Sequence, residues 1–258
     1  MKKVILITII ALISSYLYSQ ESYQAAEYTS PNTGLTLKYR HLTPQKTKSG
    51  EKYPLVIFLH GSGERGSDNQ AQLFHGSGMF LNPVNREKYP AYVLFPQCPQ
   101  EFSGAYERGK LETLDPHRMP ENPPLQPIMQ AVMDLINSYI AKEDVDSRRV
   151  YIIGLSMGGM ATFDLVIRFP ETFAAAIPIC GSVNPTRLSA AKDVHFRIFH
   201  GDADKSVPVE GSREAYKALK AAGADVEYIE FAGCTHNSWN PAFNYPDFMK
   251  WLFKQKSN

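Results

Sequence analysis

The sequence contains little that would indicate a nucleic-acid-binding, membrane-spanning or disulfide-rich protein. Its 27 lysines and arginines are balanced by 26 aspartates and glutamates, which leaves a formal net charge of +1. So small a charge creates no general field that would recruit nucleic acid or an anionic membrane. The chain also has no repeat and no low-complexity linker. We therefore expect a neutral or weakly charged small molecule or polymer as the partner, and the sequence leaves the oligomeric state open.

Motifs for metals and nucleotide cofactors are also missing. The sequence has no H-E-x-x-H and no paired Cys/His spacing, so it predicts no metal site. Residues 61–66 do match G-x-G-x-x-G after an apolar run, as a dinucleotide-binding loop would. However, the continuation is polar, Glu64 would place a negative charge beside a pyrophosphate, and the next strand ends without an acidic residue. We therefore predict no cofactor.

The N-terminus has the pattern of a secretory signal. Lys2 and Lys3 precede an apolar run over residues 4–13, and small residues follow as far as Ser19. This order of charged, apolar and small residues predicts a signal peptide over residues 1–19 and a secreted or periplasmic mature protein. The apolar run is too short for a comfortable membrane span, and an uncleaved N-terminal anchor is the alternative.

Three cysteines are present, Cys98, Cys180 and Cys234. In an oxidising compartment they could form one pair and leave one thiol over. Cys180 ends a predicted strand and Cys234 stands just before a candidate catalytic histidine, so both could lie at the same edge of a sheet. A Cys180–Cys234 disulfide is therefore one hypothesis, and buried free thiols are the other.

Apolar runs of strand length alternate with amphipathic helical patterns along the chain. A length of 258 residues suits one large domain, which we place at residues 20–258. The alternation predicts an α/β fold, in which helices cover both faces of a mostly parallel central sheet. The predicted strands lie at residues 35–40, 53–60, 91–96, 149–155, 173–180, 195–200 and 226–231, and the predicted helices at residues 125–141, 209–222 and 245–254 and directly after Ser156. Residues 20–32 are predicted to be irregular, and residues 99–124 to form an insertion that either contacts substrate or is an inert surface loop.

A serine stands between a strand pattern and a helix pattern in Gly154-Leu155-Ser156-Met157-Gly158. This arrangement is typical of a nucleophile elbow, a sharp turn that lifts a serine hydroxyl above the edge of the sheet. Glycines are needed at positions 154 and 158 because the helix and the strand pack too closely for a Cβ atom. The N–H of Met157, at the start of the helix, would point at an oxyanion formed beside the serine.

A nucleophilic serine needs a base, and the base needs an orienting acid. After such an elbow, the acid and then the histidine are expected at the ends of later strands. Asp204 and His236 occupy these positions, and Asp202 is the rival acid, although its earlier place in the turn favours an Asx-turn role. His60 and His200 each precede a glycine at a strand end, where an imidazole more often braces a loop by hydrogen bonding.

Four motifs in this order resemble those of secreted α/β-hydrolase esterases related to feruloyl, acetylxylan and polyhydroxybutyrate-type esterases. The motifs lie at residues 60–66, 154–159, 200–208 and 236–239. They are also similar to motifs of proteins described as predicted peptidases of the prolyl-oligopeptidase type. The resemblance implies an α/β-hydrolase fold and a single catalytic domain that hydrolyses carboxylic esters without a cofactor.

The resemblance also implies an acyl-enzyme mechanism. In it Ser156 attacks the ester, His236 transfers the proton and Asp204 orients the histidine. The N–H groups of Met157 and of Ser62, or of a glycine beside Ser62, hold the oxyanion.

The remaining expectations concern the substrate. Trp239 follows His236 by three residues and either lines the acyl or sugar side of the site or belongs to the core. The expected substrates are feruloyl or acetyl esters of plant polysaccharides, and a serine peptidase of prolyl-oligopeptidase type or a polyester hydrolase is the alternative. An inactive α/β-hydrolase that serves as a binding module would have lost a residue of the triad, whereas all three are present.

Overall fold

An eight-stranded sheet organises the computed structural model, which describes residues 22–257. Its strands are β1 (Gln24–Thr29), β2 (Thr36–Leu42), β3 (Tyr53–Leu59), β4 (Tyr92–Pro96), β5 (Val145–Leu155), β6 (Ala175–Ile179), β7 (His195–Gly201) and β8 (Val226–Phe231). The strand order is β1-β2-β4-β3-β5-β6-β7-β8. β2 pairs antiparallel with β1 and β4, and the other pairs are parallel. The predicted α/β class is confirmed, whereas the predicted signal peptide over residues 1–19 lies outside the described residues.

Helices cover both faces of the sheet, as predicted. They are α1 (Ser77–Leu81), α2 (Pro83–Lys88), α3 (Pro127–Ile140), α4 (Met157–Arg168), α5 (Glu210–Ala221), α6 (Trp239–Phe243) and α7 (Phe248–Lys254). The apolar sides of α3, α4 and α5 share one core cluster with Leu55 and Ile57 of β3. Those of α1, α6 and α7 share the other with Val56 and Phe58, because successive strand residues point to opposite faces. None of the helices within residues 22–257 is both long and apolar enough to cross a bilayer.

The prediction was wrong for residues 20–32, which contain β1 rather than irregular chain. This edge strand is half exposed, and Ala26 and Tyr28 are its residues that pack against the core. Its sequence therefore carries only a weak hydrophobic alternation. The short helices α1, α2 and α6 were also not predicted, because five or six residues make fewer than two turns and the 3.6-residue spacing of apolar residues cannot repeat.

The predicted insertion at residues 99–124 contains an isolated β-bridge between Ser103 and Tyr106. Side chains that follow β6 hold it in place, because Asn184 Nδ2 donates a hydrogen bond to the Met119 carbonyl at 2.7 Å. A Cβ atom at Gly104 would lie 3.3 Å from the side chain of Met157. The insertion is therefore packed against the start of α4, beside the turn that carries Ser156.

Candidate active site

The nucleophile elbow lies between the end of β5 and the start of α4. Its central residue, Ser156, has φ 54° and ψ −117°, a conformation that residues other than glycine rarely adopt. A Cβ atom at Gly154 would lie 2.1 Å from the carbonyl oxygen of Gly158, and one at Gly158 would lie 2.1 Å from the carbonyl oxygen of Leu59. The predicted need for glycine at both positions is confirmed.

The structure brings the three predicted catalytic side chains together in one hydrogen-bonded chain. His236 Nδ1 lies 2.7 Å from Asp204 Oδ2, and His236 Nε2 lies 2.9 Å from Ser156 Oγ. Because an ionised carboxylate can only accept, the Nδ1 proton points at Asp204 and leaves Nε2 as the acceptor for the serine proton. This arrangement can activate a hydroxyl as a nucleophile.

The acid of this chain is held by several donors. Asp204 is buried, and its Oδ1 accepts hydrogen bonds from the N–H groups of Ser206 at 2.8 Å and Val207 at 3.0 Å. Burial raises the pKa of the Asp204 carboxyl, but the hydrogen bonds from His236 and from these two backbone groups outweigh it and bring the pKa below its usual value. The carboxylate therefore stays ionised and can stabilise a protonated histidine.

The rival acid, Asp202, has a different position. It is exposed, and its Oδ1 accepts a hydrogen bond from the Gly233 N–H at 2.6 Å. Gly233 belongs to the loop that leads to His236. Asp202 thus supports the loop of the histidine, while Asp204 contacts its ring.

The sequence did not indicate how closely this loop approaches the sheet. A Cβ atom at Gly201, the last residue of β7, would lie 2.2 Å from the carbonyl oxygen of Cys234. The same carbonyl accepts a hydrogen bond from the Ala203 N–H at 3.0 Å. Only glycine at position 201 lets the loop close onto the strand end. In the sequence, the Gly201-Asp202 pair was the signal from which this close approach could have been predicted.

His200 was predicted to brace a loop, and the structure places it against the acid itself. Its fully buried ring has Nε2 at 3.0 Å from the Val207 carbonyl and 3.2 Å from Asp204 Oδ2. Its Nδ1 lies 2.7 Å from the Ser212 hydroxyl. Burial lowers the pKa of His200, so the neutral ring donates through Nε2 and accepts through Nδ1.

The predicted oxyanion donors lie on the two segments that flank the serine. A Cβ atom at Gly61 would lie 3.8 Å from Ser156 Cβ, so the loop after β3 reaches the elbow. Within residues 22–257, the N–H groups of Ser62 and Met157 donate no hydrogen bond to a protein acceptor. Both can therefore donate to an oxygen of a bound substrate.

His60 braces this loop, as predicted. Its Nδ1 lies 2.6 Å from the Gly61 carbonyl, and its Nε2 accepts a hydrogen bond from the Cys98 N–H at 2.9 Å. Burial lowers the pKa of His60 to about 4, so the ring is neutral at pH 7 and the proton on Nδ1 is the one donated. The loop turns through a 3₁₀ segment at Ser62–Glu64, which differs from the α-helix that a dinucleotide-binding loop would enter.

Arg65 adds a contact that the sequence did not predict. Its Nε donates to the Ser62 carbonyl at 2.9 Å, and its Nη1 donates to the Phe102 carbonyl at 3.0 Å. The guanidinium thus ties the loop after β3 to the insertion. Its donors can bind two carbonyls at once because they are fixed in one plane.

The family model described as phospholipase/carboxylesterase matches residues 45–247. The chain belongs to the phospholipase/carboxylesterase family. It is therefore a serine ester hydrolase, and its sheet is that of the α/β-hydrolase fold.

Carboxylesterase SOBER1 of Arabidopsis thaliana is 26% identical over 214 residues, which are 74% of this chain and 86% of that protein. An endo-1,4-beta-xylanase/feruloyl esterase of Xylanibacter ruminicola is 34% identical over 110 residues, which are 42% of this chain and 15% of that protein.

Among solved structures, the crystal structure of a thermostable esterase superposes with a TM-score of 0.84 and 36% sequence identity. The superposition covers 92% of this chain and 64% of that esterase. This carboxylesterase family member thus spans just under two thirds of the length of its structural relative, and both chains share the α/β-hydrolase fold.

Trp239 packs against the core, which was one of the two predicted alternatives, and its place on the acyl or sugar side of the site stays a prediction. It is partly buried and packs against the core cluster that contains α6 and α7. Its ring also lies 5.4 Å from the ring of His236, with an interplanar angle of 84°. A substrate bound against this imidazole would therefore also lie close to Trp239.

The three cysteines are free thiols in the structure, so the hypothesis of a Cys180–Cys234 disulfide is not supported. Cys180, Asp204 and His236 do offer ligand atoms within 4.8 Å of one another, the spacing of a metal site. However, burial raises the pKa of Cys180 to about 12, and the other two side chains already bind each other. A metal would need the thiolate and would take the histidine from Ser156, so this donor set fits a metal poorly.

Proposed function

We propose that this carboxylesterase cleaves esters through an acyl-enzyme formed on Ser156. His236 Nε2 takes the hydroxyl proton as Oγ bonds to the ester carbonyl carbon, and the resulting oxyanion accepts from the N–H groups of Ser62 and Met157. The C–O bond to the alcohol then breaks, and His236 gives its proton to the departing alcohol oxygen. Water, deprotonated by His236, then attacks the acyl carbon. The bond from that carbon to Ser156 Oγ breaks, His236 returns the proton to Oγ, and the carboxylic acid leaves. The observation that carries the proposal is the hydrogen-bonded chain from Asp204 to Ser156.

We propose feruloyl or acetyl esters of plant polysaccharides as the substrates. The support is the relative from Xylanibacter ruminicola, whose name joins a xylanase to a feruloyl esterase, and the partly exposed Trp239 beside His236. Flat aromatic side chains at the edge of a site suit rings of either an acyl group or a sugar.

The test is hydrolysis of methyl ferulate, acetylated xylan and p-nitrophenyl acetate, butyrate and octanoate, with a peptide p-nitroanilide for comparison. We expect the wild type to cleave the esters, with methyl ferulate or acetylated xylan giving the highest kcat/KM. Ser156→Ala should be inactive on all of them. A preference for octanoate would refute the polysaccharide substrate, and cleavage of the anilide alone would refute the esterase function.

We also propose that residues 1–19 direct export and are removed. Their charged, apolar and small-residue order supports this. After expression of the full chain in a Gram-negative host, the periplasmic protein should begin near residue 20 by intact-mass analysis. Retention of the full mass in the membrane fraction would indicate an uncleaved anchor instead.

A further inference from the structure

A row of aromatic rings extends from the catalytic histidine to the surface. The ring of Trp239 lies 5.4 Å from that of His236, the ring of His75 lies 5.0 Å from Trp239, and the ring of Phe74 lies 4.8 Å from His75. Phe74 is 59% exposed, although large apolar side chains are usually covered. We call Phe74, His75 and Trp239 the aromatic row.

A carboxylate lies beside this row and takes no part in the triad. Glu64 Oε1 is 3.8 Å from His75 Nε2, and a Cβ atom at Gly61 would lie 3.0 Å from Glu64 Oε2 and 3.8 Å from Ser156 Cβ. The carboxylate and Ser156 thus both border the space beside Gly61. The Glu64 side chain is 15% exposed, so it is largely withdrawn from water but still accessible.

The charge states of Glu64 and His75 leave the Glu64 carboxylate available as a hydrogen-bond acceptor. Burial lowers the pKa of His75 to about 4, so its ring is neutral at pH 7 and does not form a full ion pair with Glu64. Burial raises the pKa of Glu64 and outweighs the hydrogen bonds from the backbone N–H groups of Gly61 and Glu64, which lower it. Within residues 22–257 the carboxylate has no cationic partner, and its remaining lone pairs can still accept. A partly buried acceptor next to a nucleophile gains from a hydroxyl donor on a ligand.

The mechanism decides which part of the ester this surface faces. His236 must give its proton to the alcohol oxygen, so the alcohol leaves from the side of the imidazole. Trp239 contacts that imidazole edge to face, and the rest of the aromatic row continues outward from it. The row therefore borders the alcohol part of the ester rather than the acyl part.

We propose that Glu64 and the aromatic row form a subsite for the alcohol part of the ester, and that this alcohol is a sugar ring of an oligosaccharide. A sugar ring has a C–H face that packs on aromatic side chains and hydroxyl groups that donate to a carboxylate. The exposed Phe74 would contact the ring and Glu64 would accept from a hydroxyl. The proposal rests on the esterase function proposed above but not on the identity of the acyl group.

The test compares two esters that give the same acetyl-enzyme, acetylated xylo-oligosaccharide and p-nitrophenyl acetate. Phe74→Ala removes the aromatic contact to the sugar, and Glu64→Gln replaces a charged acceptor with a weaker neutral one. Each variant should therefore lower kcat/KM on the oligosaccharide about ten-fold more than on p-nitrophenyl acetate. Val84→Ala, at a side chain that is 68% exposed, and Glu87→Gln, at an exposed carboxyl, are the matched controls and should change neither value. Thermal unfolding of each variant checks that it is folded.

A second measurement does not depend on turnover of the sugar ester. Unacetylated xylo-oligosaccharide should inhibit p-nitrophenyl acetate hydrolysis by the wild type competitively, and Phe74→Ala should weaken this inhibition. Equal losses on both esters, or unaltered inhibition in folded Phe74→Ala, would overturn the subsite. Inactivity of the wild type on both esters would instead refute the proposed esterase function.

Discussion

At the scale of single residues, two aspartates that are two positions apart have opposite surroundings. Asp204 is buried, and its hydrogen-bond donors include the imidazoles of His236 and His200. Asp202 is exposed and accepts from the Gly233 N–H. Because a carboxylate can orient an imidazole only where it contacts the ring, we expect Asp204 rather than Asp202 to support the reaction.

Exchange of each aspartate for asparagine separates these roles. Asp204→Asn should lower kcat by about 10⁴-fold, because an amide favours the wrong tautomer of His236. Asp202→Asn retains an oxygen that can accept from Gly233 and should keep kcat within about ten-fold of wild type. The measurement is kcat for p-nitrophenyl acetate hydrolysis by both variants, under conditions in which both are folded. Similar losses in the two variants would mean that the acid was wrongly assigned.

Much of this site could be predicted from the sequence because short motifs encode it. The glycines around Ser156, the position of Asp204 after β7 and that of His236 after β8 follow from local patterns. The contact between Glu64 and His75 could not be predicted, because both lie in irregular chain and only the fold of the loop brings them together. The contact from His200 to Asp204 also needs the bent turn between them.

At the scale of elements, the site lies where the carboxyl ends of parallel strands meet. β5 ends at the elbow, β7 leads to Asp204 and β8 to His236. Such ends share one edge of the sheet, which explains how residues far apart in sequence meet. The long apolar strands were predictable because a strand covered on both faces is a continuous apolar run. The half-exposed β1 and the short helices α1, α2 and α6 have no such pattern and were not predicted.

Gly201 controls the register of the histidine loop against β7. Gly201→Ala would place a Cβ atom 2.2 Å from the Cys234 carbonyl, so the loop must move. We expect kcat to fall about 10²-fold, because His236 would be displaced by about an ångström. Gly78→Ala, where a Cβ atom meets nothing within 4 Å, is the control and should keep wild-type activity. Normal kcat in Gly201→Ala would show that the loop does not depend on this approach.

At the scale of the whole molecule, buried neutral histidines couple stability to pH. Burial lowers the pKa of His60 to about 4, whereas in the unfolded chain the pKa is near 6.5. Between these values the unfolded state binds a proton that the folded state does not. The free energy of unfolding therefore falls as pH is lowered from about 6.5 towards 4, by up to about 3 kcal/mol from this residue.

Urea unfolding between pH 7.5 and 4.5 measures this loss. We expect the decrease in the free energy of unfolding to be smaller in His60→Gln than in the wild type, although His60→Gln is less stable at pH 7.5 because the loop brace is altered. Val84→Ala, at a non-titrating side chain that is 68% exposed, should keep the wild-type slope. An unchanged slope in His60→Gln would contradict a neutral buried imidazole.

Labelling with an alkyl fluorophosphonate tests whether His236 activates Ser156 as the nucleophile. Attack by Ser156 Oγ forms an O–P bond and releases fluoride, so intact mass should rise by one phosphonyl group. Peptide mapping should place that group on Ser156, Ser156→Ala should remain unlabelled, and His236→Ala should be labelled far more slowly. Stoichiometric labelling of another residue, or equal labelling of Ser156→Ala, would show that Ser156 is not the nucleophile.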